Sequence, residues 1–156
     1  MRTGLVIVAS TRAAAGTSPD RSGPLAVEFL RGLGLDTPDA RVVADADIPA
    51  AVAQALAEGP SVLLTSGGTG VTPGARTVDT IAPHLARELP GIVHAFFTRG
   101  LESTPTAVIS RAVAGLAGRT FVMTLPGSTG GVRDGCAVLE PLLPHLLDQL
   151  EGHHDH

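Results

Sequence analysis

Ser61-Val-Leu-Leu-Thr-Ser-Gly-Gly-Thr-Gly70 decides the fold class. Residues 61–65 form a β-prone run, residues 66–76 a glycine-rich loop, and Thr77 reads as the cap of a helix reaching to about Glu88. A strand that passes through a loop straight into a helix is the repeating unit of a parallel sheet with helices on its faces. The same grammar recurs upstream. Residues 5–9 are a continuous apolar run, as expected of a strand buried on both faces. The loop 10–19 follows, then a helix over about 24–31 that places Leu25, Phe29 and Leu33 on one face. Asp20 and Ser22 are its candidate caps, and Gly32 and Gly34 stop it. Residues 41–44 predict a second strand ending at Asp45, and residues 49–57 a helix closed by Gly59-Pro60.

Downstream, Leu89-Pro90-Gly91 is a break. Residues 92–99 and 107–114 read as two helices, and residues 120–125 as a strong strand that runs into a second glycine loop, 126–131. The segment 132–150 has helical period, but Pro141 and Pro144 lie inside it, which predicts a break near Glu140. The expected fold class is therefore α/β, with helices on both faces of a mostly parallel sheet. Residues 1–152 are expected to form one domain and residues 153–156, rich in histidine, a flexible tail.

Composition narrows the chemistry. The chain has 156 residues and a formal charge of −4, no field for gathering nucleic acid or anionic lipid. All eleven basic residues are arginine, so a P-loop lysine and a Schiff-base lysine are both excluded. One cysteine, Cys136, cannot make an intrachain disulfide and reads as a small buried hydrophobe. The opening MRTGLVIVAS does not read as a signal peptide, and no apolar stretch is long enough to span a bilayer. A cytoplasmic protein is expected. His84 and His94 have no second ligand at helical spacing, and His145 sits in an expected amphipathic helix, so no histidine metal site is expected.

In an open parallel sheet, ligands sit beyond the carboxyl ends of the strands. Four features fall there: the loop 10–16, Asp45, Ser66-Gly-Gly-Thr-Gly70, and Pro126-Gly-Ser-Thr-Gly-Gly131. Backbone without a Cβ can approach an anion closely, consecutive N–H groups form an anion-binding concavity, and a following helix adds its N-terminal partial charge. Thr65, Ser66, Thr69 and Ser128 can add hydroxyl donors. One such loop is explained equally well as a tight turn; two in the same sheet favour binding of a phosphate-bearing small molecule. The dinucleotide pattern fails, because Pro73 stands where a third glycine belongs. Asp45 admits two readings: a solvated turn residue before a helix, or a Mg²⁺ ligand facing phosphates.

Taken in order, Thr65-Ser-Gly-Gly-Thr-Gly70, Arg87-Glu-Leu-Pro-Gly91, Pro105-Thr-Ala-Val-Ile-Ser-Arg111 and Leu125-Pro-Gly-Ser128 resemble the MogA/MoaB family of molybdenum-cofactor biosynthesis. Ser10-Thr-Arg-Ala-Ala-Ala-Gly16 and Val42-Val-Ala-Asp45 look like its earlier blocks, so the resemblance spans nearly the whole chain. It implies a three-layer α/β/α domain, a homotrimer, and binding of molybdopterin, a pterin with a dithiolene and a terminal phosphate. It also implies transfer of AMP from Mg·ATP to that phosphate, release of pyrophosphate, and delivery of the product to a MoeA-type metal-insertion partner. Carried over by position, Asp45 would be catalytic and hold Mg²⁺. Gly67, Gly68, Thr69 and Gly70 would hold the terminal phosphate, with Thr65, Ser66 and Thr77 beside them. Pro126, Gly127 and Ser128 would form the second ligand loop, and Ser110 and Arg111 the Ser-Arg pair beside the site.

The chain departs from the family at Val71-Thr-Pro-Gly-Ala-Arg-Thr77, where Ala75 stands in place of an aspartate important for adenylyl transfer. Either Asp79 or Asp45 supplies the charge, or the chain is a binding-competent paralogue with little catalysis, closer to MoaB-type members. Arg76 enters this loop and offers a bidentate phosphate donor.

Overall fold

A computed structural model describes residues 1–152. In chain order its elements are β1 (Gly4–Ala9), α1 (Thr11–Ala14), α2 (Ser22–Gly32), β2 (Arg41–Val43), α3 (Ile48–Ala57), β3 (Val62–Ser66), α4 (Thr77–Ile81) and β4 (Arg87–Glu88). They continue as α5 (Pro90–Leu101), β5 (Ala114–Ala117), β6 (Thr120–Leu125), α6 (Thr129–Leu139) and α7 (Leu143–Leu150). The six strands form one sheet in the order β2-β1-β3-β6-β5-β4. β2, β1, β3 and β6 pair in parallel, whereas β5 pairs antiparallel with both β6 and β4.

The continuous apolar runs behave as fully buried strands should. Every residue of β1, β3 and β6 is buried, and alternate side chains enter opposite cores. Val6, Val8, Leu64, Met123 and Leu125 pack with Val27 and Leu30 of α2, Phe96 of α5, Val132 of α6 and Leu147 of α7. Leu5, Ile7, Leu63 and Val122 face the other way, against Val52 of α3 and Ile81 of α4. The result is the expected three-layer α/β/α arrangement. The two ends of the described chain are tied together. Arg2, just before β1, binds Glu151 at 2.9 Å and Asp148 at 2.5 Å, beside the end of α7.

The sequence expectations hold for the parallel half and fail at three places. The helix from Thr77 does not reach Glu88. It stops at Ile81, passes through a 3-10 turn at Ala82–His84, and the chain then forms β4. Pro83 explains the stop, since it has no N–H and its ring crowds the carbonyl one turn back. The helix expected over 107–114 is a 3-10 turn at Pro105–Ile109 followed by β5. Register explains this: Gly115 lies so close to Arg87 that a Cβ there would strike the Arg87 carbonyl, so only glycine lets β4 pair at this edge. Thirdly, the loop after β1 contains a helical turn, α1, capped by the Ser10 hydroxyl, which accepts from the Ala13 N–H at 3.2 Å. Three helix starts are also earlier than expected, α5 among them, which begins at Pro90 inside the expected break. Asp20 accepts from the Gly23 N–H, drawing α2 back to Ser22, and Ser128 accepts from the Gly131 N–H, drawing α6 back to Thr129.

Candidate functional site

The four features assigned to the carboxyl ends of the strands do converge at one edge of the sheet. The β3 loop is shaped by two glycines in the left-handed region, Gly67 at φ 92° and Gly68 at φ 69°. Gly67 donates its N–H to the Leu125 carbonyl at 3.0 Å, joining this loop to the end of β6. A Cβ on Gly67 would meet the Ala9 carbonyl, and one on Gly68 would meet the Thr77 hydroxyl. These two glycines are thus required by packing against β1 and α4. Gly70 differs: nothing lies within 4 Å of its Cβ direction, and it borders open space. A Cβ added to Gly127 would stand 3.5 Å from the Gly67 Cα, so the two glycine loops pack against each other.

Asp45 lines a cavity of about 370 Å³ together with Gly68, Gly70, Ala75 and Arg12. It is the one acidic residue in that lining. Its position is fixed from α1. The Thr11 hydroxyl donates to Asp45 Oδ2 at 2.9 Å, and the Asp45 N–H donates back to Thr11 Oγ1 at 3.1 Å. Ala75 borders the same space and has no side-chain oxygen to offer it. One carboxylate, with phosphate oxygens and waters completing the shell, suits Mg²⁺, which seldom uses an all-protein cage. Among the described residues, no group of three or more His, Cys, Asp or Glu is placed to hold a metal by itself.

A second cavity, of about 480 Å³, adjoins the first and is lined by Ser22, Ser66, Gly127 and Thr129. Ser66 Oγ lies 2.9 Å from both Ser22 Oγ and the Pro126 carbonyl. A third, of about 550 Å³, lies beyond the β6 loop and is lined by Ser110, Pro126, Ser128 and Arg133. Asp45, Ser66, Gly68, Gly70, Ser110, Pro126, Gly127 and Ser128 therefore divide among three neighbouring spaces, whereas Thr65, Gly67, Thr69, Arg76, Thr77 and Arg111 line none of them.

Several candidates are engaged within the protein. Thr69 is buried, with its hydroxyl 2.8 Å from Ser110 Oγ and its carbonyl accepting from the Arg111 N–H at 2.7 Å. The Arg111 guanidinium is committed to Asp79, which it grips with two hydrogen bonds. That contact holds the Asp79 carboxyl below the usual carboxylate range and raises Arg111. Asp79 is thus neutralised by Arg111 and lies outside the cavity lined by Asp45, which leaves Asp45 as the carboxylate there. Thr65 and Thr77 have fully buried hydroxyls with no hydrogen-bond partner among the described residues, so they face the protein interior. Arg76 is exposed at the start of α4 and lines none of the three cavities.

Thr11 and Arg12 were read only as part of the loop 10–16 and Ser22 only as a helix cap, none of them as a site residue in its own right. The available signal was positional, since Thr11 and Arg12 follow β1 almost directly at the edge where ligands bind in parallel sheets. Cys136 is half-buried in α6, and burial, followed by the charge of Glu140, pushes its thiol up to about 11, consistent with a packing role. His84 and His94 are exposed and line none of these cavities; the tail histidines lie outside the described residues. No helix among the described residues is long and apolar enough to cross a membrane.

Comparison with known proteins gives this geometry a context. Residues 5–145 match a family described as "Probable molybdopterin binding domain". A molybdenum cofactor biosynthesis bifunctional protein of Chlorobaculum tepidum is 38% identical over 149 residues, 94% of this chain and 48% of that protein. The chain thus spans about half the length of such bifunctional relatives. A molybdopterin adenylyltransferase of Pyrococcus furiosus is 34% identical over 149 residues, 91% of this chain and 87% of that one. The solved structure of a molybdopterin biosynthesis Mog protein from Mycobacterium ulcerans superposes with a TM-score of 0.90 at 40% identity, covering 96% of this chain and 99% of that one.

Proposed function

Because the chain belongs to the MogA/MoaB family of molybdenum-cofactor biosynthesis, we propose that it binds molybdopterin and transfers AMP from Mg·ATP to its terminal phosphate. The observation that carries this reading is the pair of adjoining cavities at the strand ends, one of which contains a single carboxylate held by a hydroxyl. A transfer between two substrates needs two spaces that meet, and a cation-binding carboxylate near the meeting point.

In the proposed reaction, an oxygen of the pterin's terminal phosphate attacks the α-phosphorus of ATP. A new P–O bond forms, the bridging α–β P–O bond breaks, and its electron pair leaves on pyrophosphate. Asp45, oriented by Thr11, would hold Mg²⁺, which when bound neutralises charge on the phosphate oxygens. Gly70 borders the space without a side chain to obstruct it, and Gly67 and Gly68 set the course of the loop. Thr69 and Ser110 act through each other to fix that loop against the segment before β5. The homotrimer, the cytoplasmic setting and hand-over to a MoeA-type partner are parts of the same proposal.

A second reading has one specific observation in its favour. Ala75 faces the Asp45 cavity where the family carries an aspartate, so the chain would bind molybdopterin yet transfer AMP poorly. One assay separates the two: pyrophosphate release from ATP with molybdopterin and Mg²⁺, run on the native chain, Asp45→Ala and Ala75→Asp. Turnover by the native chain that is lost in Asp45→Ala supports the transferase. Activity confined to Ala75→Asp supports the binding paralogue.

A further inference from the structure

Two of the cavities share a wall, and one charged side chain stands in it. Ala9, Ser10 and Arg12 line both the 370 Å³ space around Asp45 and the 480 Å³ space around Ser66 and Gly127. Arg12 is the one cation lining the Asp45 space. Arg2, Arg31, Arg41, Arg99 and Arg111 are each spent on a carboxylate, whereas Arg12 makes no ion pair among the described residues, and of the unpaired arginines it alone lines both spaces, Arg21 lining the larger one only. Its backbone is held firmly for so exposed a residue. Ser10 caps the turn, Thr11 is tied to Asp45, and the Arg12 carbonyl accepts from both the N–H and the hydroxyl of Thr17 at 3.0 Å. A guanidinium fixed at its root, unpaired at its tip and open to two spaces is suited to an anion that extends through both.

We propose that Arg12 binds a polyphosphate chain where the two cavities meet, its planar fork engaging non-bridging oxygens from both sides of the shared wall. This rests on the reading that both spaces take phosphate-bearing substrates. In the transfer reaction, Arg12 is then a catalytic residue. It stays protonated throughout and stabilises the negative charge that gathers on the departing pyrophosphate as the α–β bond breaks. The chain has no lysine that could take this role.

The test is calorimetric titration of the full chain with inorganic pyrophosphate in the presence of Mg²⁺, alongside the turnover assay. The native protein is expected to bind pyrophosphate. Arg12→Gln should weaken binding by about tenfold to a hundredfold, the loss of hydrogen bonds from a charged donor. Arg12→Lys should fall between the two, and Arg119→Gln, which removes the same charge from the β5–β6 turn, should bind like the native chain. Turnover of Arg12→Gln should drop by about 10²-fold. Arg12 is exposed, so its variants should keep the native thermal midpoint. Pyrophosphate binding by Arg12→Gln within about threefold of native, or no binding by the native chain, overturns the assignment. If the native chain binds, Arg12→Gln does not, and neither turns over, Arg12 stands as a polyphosphate residue while the transferase reading fails.

Discussion

Arg111 and Asp79 form a two-pronged ion pair, with guanidinium nitrogens 2.9 and 2.7 Å from the two carboxylate oxygens. The pair joins the segment before β5 to the first turn of α4, and the Arg111 N–H simultaneously binds the Thr69 carbonyl in the glycine loop. Asp79 and Arg111 therefore serve as positioning residues for that loop. Asp79→Asn is expected to raise the KM for molybdopterin several-fold while lowering kcat less, and exchanging the two charges should restore part of the loss. The contact lowers the Asp79 pKa in the folded state, so its stabilising contribution is present above the ordinary carboxylate value of about 4 and is lost as pH falls through the lower folded value. Denaturation midpoints of the native chain and Asp79→Asn should accordingly differ by a constant amount above about pH 5 and converge in acid.

Asp45 is predicted to matter for turnover far more than for binding. Asp45→Ala should keep molybdopterin affinity and lose Mg²⁺-dependent pyrophosphate release by about 10²-fold or more, since a bound metal supplies several kcal/mol to the transition state. Thr11→Val, which removes the hydroxyl that orients Asp45, should raise the Mg²⁺ concentration needed for half-maximal rate by about tenfold. Equal rates for native and Asp45→Ala would return Asp45 to the role of a turn residue.

The glycines of the loop are not equivalent. Gly68→Ala should destabilise the fold by about 2 kcal/mol, because φ 69° disfavours an L side chain and the new Cβ meets the Thr77 hydroxyl. Gly70→Ala, with open space around it, should change stability by less than about 0.5 kcal/mol. Urea denaturation of both variants decides this. A Gly68 variant as stable as Gly70→Ala would mean that the loop can relax away from α4.

Cys136 is predicted to react slowly in the native protein. Iodoacetamide at pH 8 should modify it much faster in denaturant, because burial keeps the thiol protonated until about 11. The unfolded thiol ionises near 8.5, so the contribution of Cys136 to stability is complete below that pH and is lost as pH rises through the folded value. Cys136→Ser should flatten this alkaline loss of stability.

The parallel half of the sheet was legible because its strands are continuous apolar runs punctuated by glycine loops. The antiparallel edge was not. Ala114-Gly-Leu-Ala117 carries no β-branched residue, and β4 is a two-residue strand, so β5 owes its conformation to pairing with β6 and β4 to pairing with β5. At the candidate site, the glycine loops and Asp45 announced themselves through residue type and position. Arg12 did not, since a lone arginine in a loop has no period to reveal it. The partner of Arg111 was equally hidden, because Asp79 is 32 positions away and only the crossover through α5 brings the two together.

The link between Arg2 and Glu151 has a practical corollary. The first and last described turns meet beside the amino end of β1, whereas the cavities open at its carboxyl end, past Ala9. A tag, a surface tether or a fused module joined to the first or the last described residue would leave from the back of the sheet. The protein can be immobilised by its ends with the cavities facing the solution, and a short peptide bridging those ends is a natural starting point for a circular permutant.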